Sequence, residues 1–243
     1  MNNRVYWFRR TLEDVPASNL WLSAAEEQRL EALRIPKRRA DWRLGRWTAK
    51  QAVSLCLNLP SDEYGALARL EIRASECGAP EAYLADERVD ISLSLSHRDG
   101  VGICAIAPVG VELGCDVETI EPHSAEFIMD YFDIHELETV ADAPGEDRIL
   151  LVSLMWSAKE SALKALKEGL RADARSVHIR LMDWDLQCRE WNAFQAAVND
   201  RVYRGWWRSN GCSLYTFTAD SPIAPPTLLV APEERSSRAA NSH

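Results

Sequence analysis

No run of about 18 or more uncharged apolar residues occurs in this 243-residue chain, so no hydrophobic helix is expected to span a membrane. The opening residues, Met1 to Arg10, lack an apolar core followed by small residues. No secretory leader is therefore read there, and the expected location is the cytoplasm. Cys-x-x-Cys is also missing. The six cysteines, Cys56, Cys77, Cys104, Cys115, Cys188 and Cys212, are scattered, which removes the paired ligands of a structural zinc site. Several sit in apolar runs and are expected to be buried, reduced thiols. Positive charge is short as well: Lys and Arg number 28 against 37 Asp and Glu, a net −9. General binding to nucleic acid, which draws on phosphate neutralisation, is not expected.

What remains is a globular balance, 47% hydrophobic and 27% charged, which excludes a disordered chain. The length allows one large domain or two of roughly 100–130 residues. Ser23-Ala24-Ala25-Glu26 reads as a capping box opening a helix to about Leu33. Pro36 suits the first turn of a second helix, to about Leu57. Ile91 to Ser96 alternates as a half-buried strand does, Val101 to Ala107 is apolar throughout, and Glu112 to Glu118 is a third strand. Helical patterns follow at His123 to Ala141 and Glu146 to Leu166, then a short strand at Val177 to Leu181. Asn210-Gly211 predicts a hairpin turn with both residues at positive φ. The chain thus reads as α+β in two similar lobes, each a small antiparallel sheet with a packed long helix. They span 1–110 and 111–232, with a polar tail at 233–243 expected to be disordered.

Four segments could carry chemistry. In Gly114-Cys115-Asp116-Val117-Glu118, strand geometry puts Asp116 and Glu118 on one side, about 6.6 Å apart along the chain. Two such carboxylates suit a hard cation such as Mg²⁺, or are simply a solvated strand face. Trp156, Glu160 and Lys164 share a helical face; the plain account is a surface Glu–Lys pair beside a core Trp. Ser94-Leu95-Ser96-His97 ends a strand, where His serves as a turn residue or meets a phosphate. Arg39, Arg43, Arg46 and Lys50 form a basic helical stripe, either solvated or offset by an anion.

Taken in this order, basic helix, Ser-x-Ser-His, Gly-x-Asp-x-Glu and Trp-Ser-x-Lys-Glu-Ser-x-x-Lys, the segments resemble the Sfp-type 4′-phosphopantetheinyl transferases over about residues 20–170. The resemblance implies two similar α+β lobes in pseudo-twofold arrangement, with coenzyme A in the cleft between them. It implies transfer of 4′-phosphopantetheine to a serine of an apo acyl or peptidyl carrier protein, releasing adenosine 3′,5′-bisphosphate. Asp116, Glu118 and Glu160 would hold Mg²⁺ against the diphosphate. Lys164, Ser96, His97, Arg29 and Arg46 would contact phosphates, and Glu160 and Lys164 would serve catalysis. Glu136, in Phe132-Asp133-Ile134-His135-Glu136, would be the base that deprotonates the carrier serine. Gly78-Ala79-Pro80 departs from the family, whose members often carry a cation before that proline. The carrier is expected to dock on Phe127, Ile128, Met129, Tyr131 and Phe132, residues that are otherwise lobe core. Two lobes in one chain point to a monomer. A Mg²⁺-dependent phosphodiesterase and a non-catalytic coenzyme A binding protein are the rival readings.

Overall fold

The computed structural model describes residues 4–167, 173–182, 190–221 and 224–230. The first half runs β1 (Tyr6–Thr11), α1 (Ala24–Ala32), α2 (Pro36–Cys56), α3 (Tyr64–Ala68), β2 (Leu70–Ala74), β3 (Pro80–Leu84), β4 (Glu87–Arg88), β5 (Ile91–Arg98) and β6 (Val101–Pro108). The second half runs β7 (Leu113–Thr119), α4 (Ala125–Tyr131), α5 (Ile134–Asp142), α6 (Gly145–Leu166), β8 (His178–Leu181), β9 (Asn192–Val198), β10 (Arg201–Asn210) and β11 (Ser213–Ala219). A two-residue strand, β12 (Thr227–Leu228), leaves the second half and pairs in parallel with β1.

The fold is mixed α+β with antiparallel sheets. In the second half the strand order is β7-β11-β10-β9-β8. The first half orders its strands β1-β6-β5 and β4-β3-β2, the same succession split between β4 and β5. Each half also places a long helix, α2 or α6, over its sheet.

Alternation of side chains explains the layering. On β1, Trp7 faces the second half, in a core with Ile103, Ala105, Cys115, Val117, Tyr215 and Phe217. Its neighbour Phe8 faces α2, in a core with Ala49, Ala52, Val53, Cys104 and Ile106. Strand β6 therefore reads apolar throughout because both its faces are covered. A third core, with Leu154, Ala158, Ala162, Phe194 and Trp207, lies under α6.

The helix starts follow their caps. Ser23 accepts from Glu26 N, and the Glu26 carboxylate accepts from Ser23 N, as the capping box requires. The expected single helix at 123–141 is instead two. Asp133 accepts from His135 N and Glu136 N, each at 2.8–2.9 Å, and opens a fresh helix there. The expected hairpin forms, but its turn is Gly211-Cys212. Asn210 pairs with Ser213 inside the ladder, and only Gly211 takes positive φ. A second tight turn, Asn199-Asp200 between β9 and β10, has both residues at positive φ, 48° and 60°. Of the cysteines, Cys104 and Cys115 are buried as expected, Cys56 is half-buried, and Cys77 and Cys212 are exposed. Cys188 and the 233–243 tail fall outside the described residues. Among those described, no helix is long and apolar enough to cross a membrane.

One buried arrangement occurs in both halves. Glu26 closes its capping box and also accepts from Ile72 N and ion-pairs with Lys50, which donates to Trp21 O and Leu67 O. Glu136 closes the Asp133 box and accepts from Ile179 N. It pairs at 2.8 Å with Lys159, which donates to Ala174 O and Val177 O. Both lysines have no exposed side chain.

Candidate functional site

Strand β7 and helix α6 meet backbone to backbone. A Cβ added to Gly114 would come within 1.8 Å of Ser161 O. Glycine is thus the residue that lets β7 lie this close to the helix. The approach brings Asp116, 3% exposed, against the helix face that carries Ser157 and Lys164. Ser157 Oγ donates to Asp116 Oδ2 at 2.8 Å, and Lys164 Nζ reaches Oδ1 at 2.7 Å. From the first half, Ser96 Oγ donates to the same Oδ1 at 2.7 Å, and Ser94 Oγ accepts from Cys115 N at 3.0 Å. Strands β5 and β7 are thereby joined across the two halves.

A cleft of about 430 Å³ opens at this junction, lined in part by Arg46, Ser96, His97, Asp116, Glu118 and Lys164. Six residues singled out in the sequence from four separate segments therefore share one wall. Glu118, two residues beyond Asp116, accepts from Trp156 Nε1 at 3.2 Å and lies 3.5 Å from Arg98 Nε. Arg46 stacks over Trp42, its guanidinium carbon 4.9 Å from the ring centroid. Its Nε is buried, 3.9 Å from Glu26 Oε1, and has no hydrogen-bond partner among the described residues. Arg46 itself lines the cleft, where a guanidinium suits an anionic ligand.

Electrostatics set the carboxylates apart. Burial, reinforced by the charge of Asp116, pushes Glu118 up to about 7. Burial also raises Glu160; Lys164 opposes that shift and Asp116 adds to it. Lys164 is opposed by burial but held above the usual lysine value by Asp116, Cys115 and Glu160. His97 is lowered, chiefly by burial, with Asp41 pulling the other way. Glu118 and Glu160 thus both strain against ionisation beside Asp116, and their hard oxygens fit a divalent cation. Among the described residues, however, no three His, Cys, Asp or Glu side chains are gathered as a ready-made metal cluster.

Three of the expected site residues do not line the cleft. Glu160 sits half-buried one helical turn before Lys164, coupled by charge to Asp116 and Lys164. Arg29 is exposed on α1 and acts on Arg46 by charge alone. Glu136 is 2% exposed, in the buried pair with Lys159. A carboxylate tied to two backbone N–H groups and a lysine differs from the accessible one a base needs.

The basic stripe on α2 is mostly spent on main-chain carbonyls. Arg39 donates to Leu30 O and Leu33 O, Arg43 to Pro16 O, Ala17 O and Ser18 O, and Lys50 to Trp21 O and Leu67 O. Of that stripe, only Arg46 lines the cleft. Sequence reasoning gave no role to Asp41, Trp42 or Arg98, which also line it. Trp42 stands four residues before Arg46, so helical spacing was a usable signal for it.

Glu118 makes stability depend on pH. A carboxyl raised from an ordinary value of 4.5 to about 7 in the folded state stabilises below pH 4.5, and that contribution is lost as pH rises through 7. The displacement amounts to about 3 kcal/mol at most. Metal-free protein is expected to melt at lower temperature at pH 8 than at pH 5.5, and Glu118→Gln to flatten that slope. Calorimetric scans across this range check it; an equal slope in the variant would remove Glu118 as the cause.

Residues 112–210, from the turn before β7 through β10, match the family profile described as ACPS, the 4′-phosphopantetheinyl transferase superfamily. A protein of Synechocystis sp. (strain ATCC 27184 / PCC 6803 / Kazusa), whose name assigns it provisionally as a 4′-phosphopantetheinyl transferase, is 29% identical over 103 residues. The matched stretch is 41% of this chain and 41% of that relative, so the chain spans about two-fifths of the curated relative it matches. The crystal structure of Thermotoga maritima holo-[acyl-carrier-protein] synthase is 19% identical with a TM-score of 0.34, covering 55% of this chain and 76% of that one.

Proposed function

We propose that this chain is a Sfp-type 4′-phosphopantetheinyl transferase that moves phosphopantetheine from coenzyme A to a serine of an apo acyl or peptidyl carrier protein. The observation that carries the reading is the cleft to which both halves contribute. Phosphate-seeking Arg46, His97 and Lys164 line it together with Asp116 and Glu118. We take the halves, 1–110 and 111–232, to be pseudo-twofold related lobes. The support is their matching strand succession and the duplicated Glu–Lys pairs.

In the proposed reaction the carrier serine oxygen attacks the phosphorus that bears the pantetheine arm. The bond from that phosphorus to the bridging oxygen breaks, and adenosine 3′,5′-bisphosphate leaves. Arg46, Ser96 and His97 bind the nucleotide phosphates, with exposed Arg29 adding charge at the mouth. Lys164 holds a diphosphate oxygen, and its raised pKa keeps it charged through the reaction. Asp116, Glu118 and Glu160 would hold Mg²⁺, which when bound supplies charge neutralisation on the diphosphate. Glu160, half-buried and coupled by charge to Asp116 and Lys164, is assigned as the acceptor for the serine proton. Glu136 is assigned instead to the buried pair with Lys159.

For the carrier, Met129, Tyr131 and Ile134 are exposed around the end of α4, whereas Phe132 is 1% exposed and belongs to the core. Phe127 is packed against Trp156, ring centroids 5.0 Å apart. The docking face is therefore Met129, Tyr131 and Ile134 rather than the whole segment. We read the protein as a cytoplasmic monomer that binds neither nucleic acid nor membrane.

The test is intact mass of an apo carrier protein after incubation with this protein, coenzyme A and Mg²⁺. A gain of one phosphopantetheinyl group, lost when the acceptor serine is replaced by Ala, is the expected result. Coenzyme A binding without any mass gain on acyl and peptidyl carriers would replace this reading with the non-catalytic one.

A further inference from the structure

A second polar cavity, of about 400 Å³, lies at the other side of the interface between the two sheets. It sits between β1 and β10, each two strands away from the β5 and β7 that border the cleft, and no residue lines both. Arg9, Arg10 and Arg208 open onto it, with Asp14, Thr11 and Asn210. Arg9 and Arg208 thus bring positive charge to it from both halves of a chain of net −9.

The three arginines are held in different ways. Arg208 packs beside two indoles that meet edge to face, its guanidinium carbon 5.1 Å from the Trp7 ring centroid and 4.8 Å from that of Trp191. Its Nε is buried and meets no hydrogen-bond acceptor among the described residues. Arg9 donates from Nε to Tyr215 Oη at 3.1 Å. Neither Arg9 nor Arg208 is ion-paired with a carboxylate of a described residue. Arg10 is anchored by Gln51 Oε1 at 2.6 Å and lies over Phe8. The Asp14 carboxylate is occupied by the Thr11 N–H and hydroxyl.

Like charges gathered around a void repel, and a buried guanidinium donor without an acceptor costs stability. A multivalent anion offsets the repulsion, and planar guanidinium edges match phosphoryl oxygens in particular. The volume exceeds that of a bare phosphate and falls in the range of small-ligand sites. We propose that this cavity is a second binding site, for the phosphoryl group of a small phosphorylated molecule. Arg9 of β1 and Arg208 of β10 hold it from opposite halves. The site stands apart from the transferase reading and from the coenzyme A cleft.

The experiment is titration calorimetry of the full chain with inorganic pyrophosphate, without divalent metal, at low salt. It uses an Arg46→Ala/His97→Ala background so that the cleft does not report. One pyrophosphate bound per chain is the expected result. Arg9→Gln and Arg208→Gln, each added to that background, should weaken binding at least tenfold. Circular dichroism checks that each variant is folded, and if Arg208→Gln fails that check, Arg9→Gln decides alone. No binding in the background protein overturns the proposal, as does unchanged affinity in folded Arg9→Gln. Loss of carrier modification in the wild type, with this binding intact, would sink only the transferase reading.

Discussion

Replacing Glu160 by Gln is expected to lower phosphopantetheine transfer by about 10²–10³-fold or more while leaving the fold intact. Gln matches Glu in shape, so the half-buried helix position keeps its packing. What disappears is one charge that burial and Asp116 already oppose, so stability should hold or rise slightly. The same loss removes a proposed metal ligand and proton acceptor at once. Mass spectrometry of the carrier gives the rate, and circular dichroism the fold. Near-wild-type turnover in a folded variant would take Glu160 out of the site. Lys164→Ala is the companion experiment. It strips Asp116 of its 2.7 Å cationic partner and leaves two serine hydroxyls on a buried carboxylate. Its effect should fall on both coenzyme A KM and kcat.

Glu136→Gln should behave in the opposite way, with a large loss of stability and little loss of activity per folded molecule. Lys159 has no exposed side chain, and its cation would be left facing a neutral amide. Breaking one partner of a buried ion pair costs about 3–5 kcal/mol. Glu26→Gln, which strands Lys50 in the first half, supplies an internal control. Denaturant melts should show comparable losses for the two variants, and carrier modification assayed well below their melting points should be similar. If Glu136→Gln alone stopped transfer while remaining as stable as the wild type, Glu136 would be the base after all.

Much of the site was legible because its chemistry is written in local spacing. Asp116 and Glu118 share a strand face, and both line the cleft. Trp156, Glu160 and Lys164 share a helix face, and the outer two meet Glu118 and Asp116. The helix starts were legible for the same reason, since a capping box is complete within four residues. What was not legible depends on which distant groups claim a side chain. Arg39, Arg43 and Lys50 look identical to Arg46 along the stripe, yet loop carbonyls reach the first three. Glu136 looks available in its motif because its lysine is 23 positions downstream and its backbone donor, Ile179, 43 downstream. A signal was nonetheless present. Ser23-x-x-Glu26 and Asp133-x-x-Glu136 are the same box, and reading them as one pattern assigns both glutamates to structure.

The return of β12 to β1 has a consequence for synthesis. Strand β1 is synthesised about 220 residues before its parallel neighbour, Thr227-Leu228. Trp7 also waits for Tyr215 and Phe217, with ring centroids 5.4 and 5.5 Å away. One face of β1 therefore stays uncovered until β11 and β12 have emerged. Contacts of such long sequence separation form late and slowly. A nascent chain stalled after β6 would expose Val5 and Trp7, which makes it a natural client for chaperones that hold apolar strands.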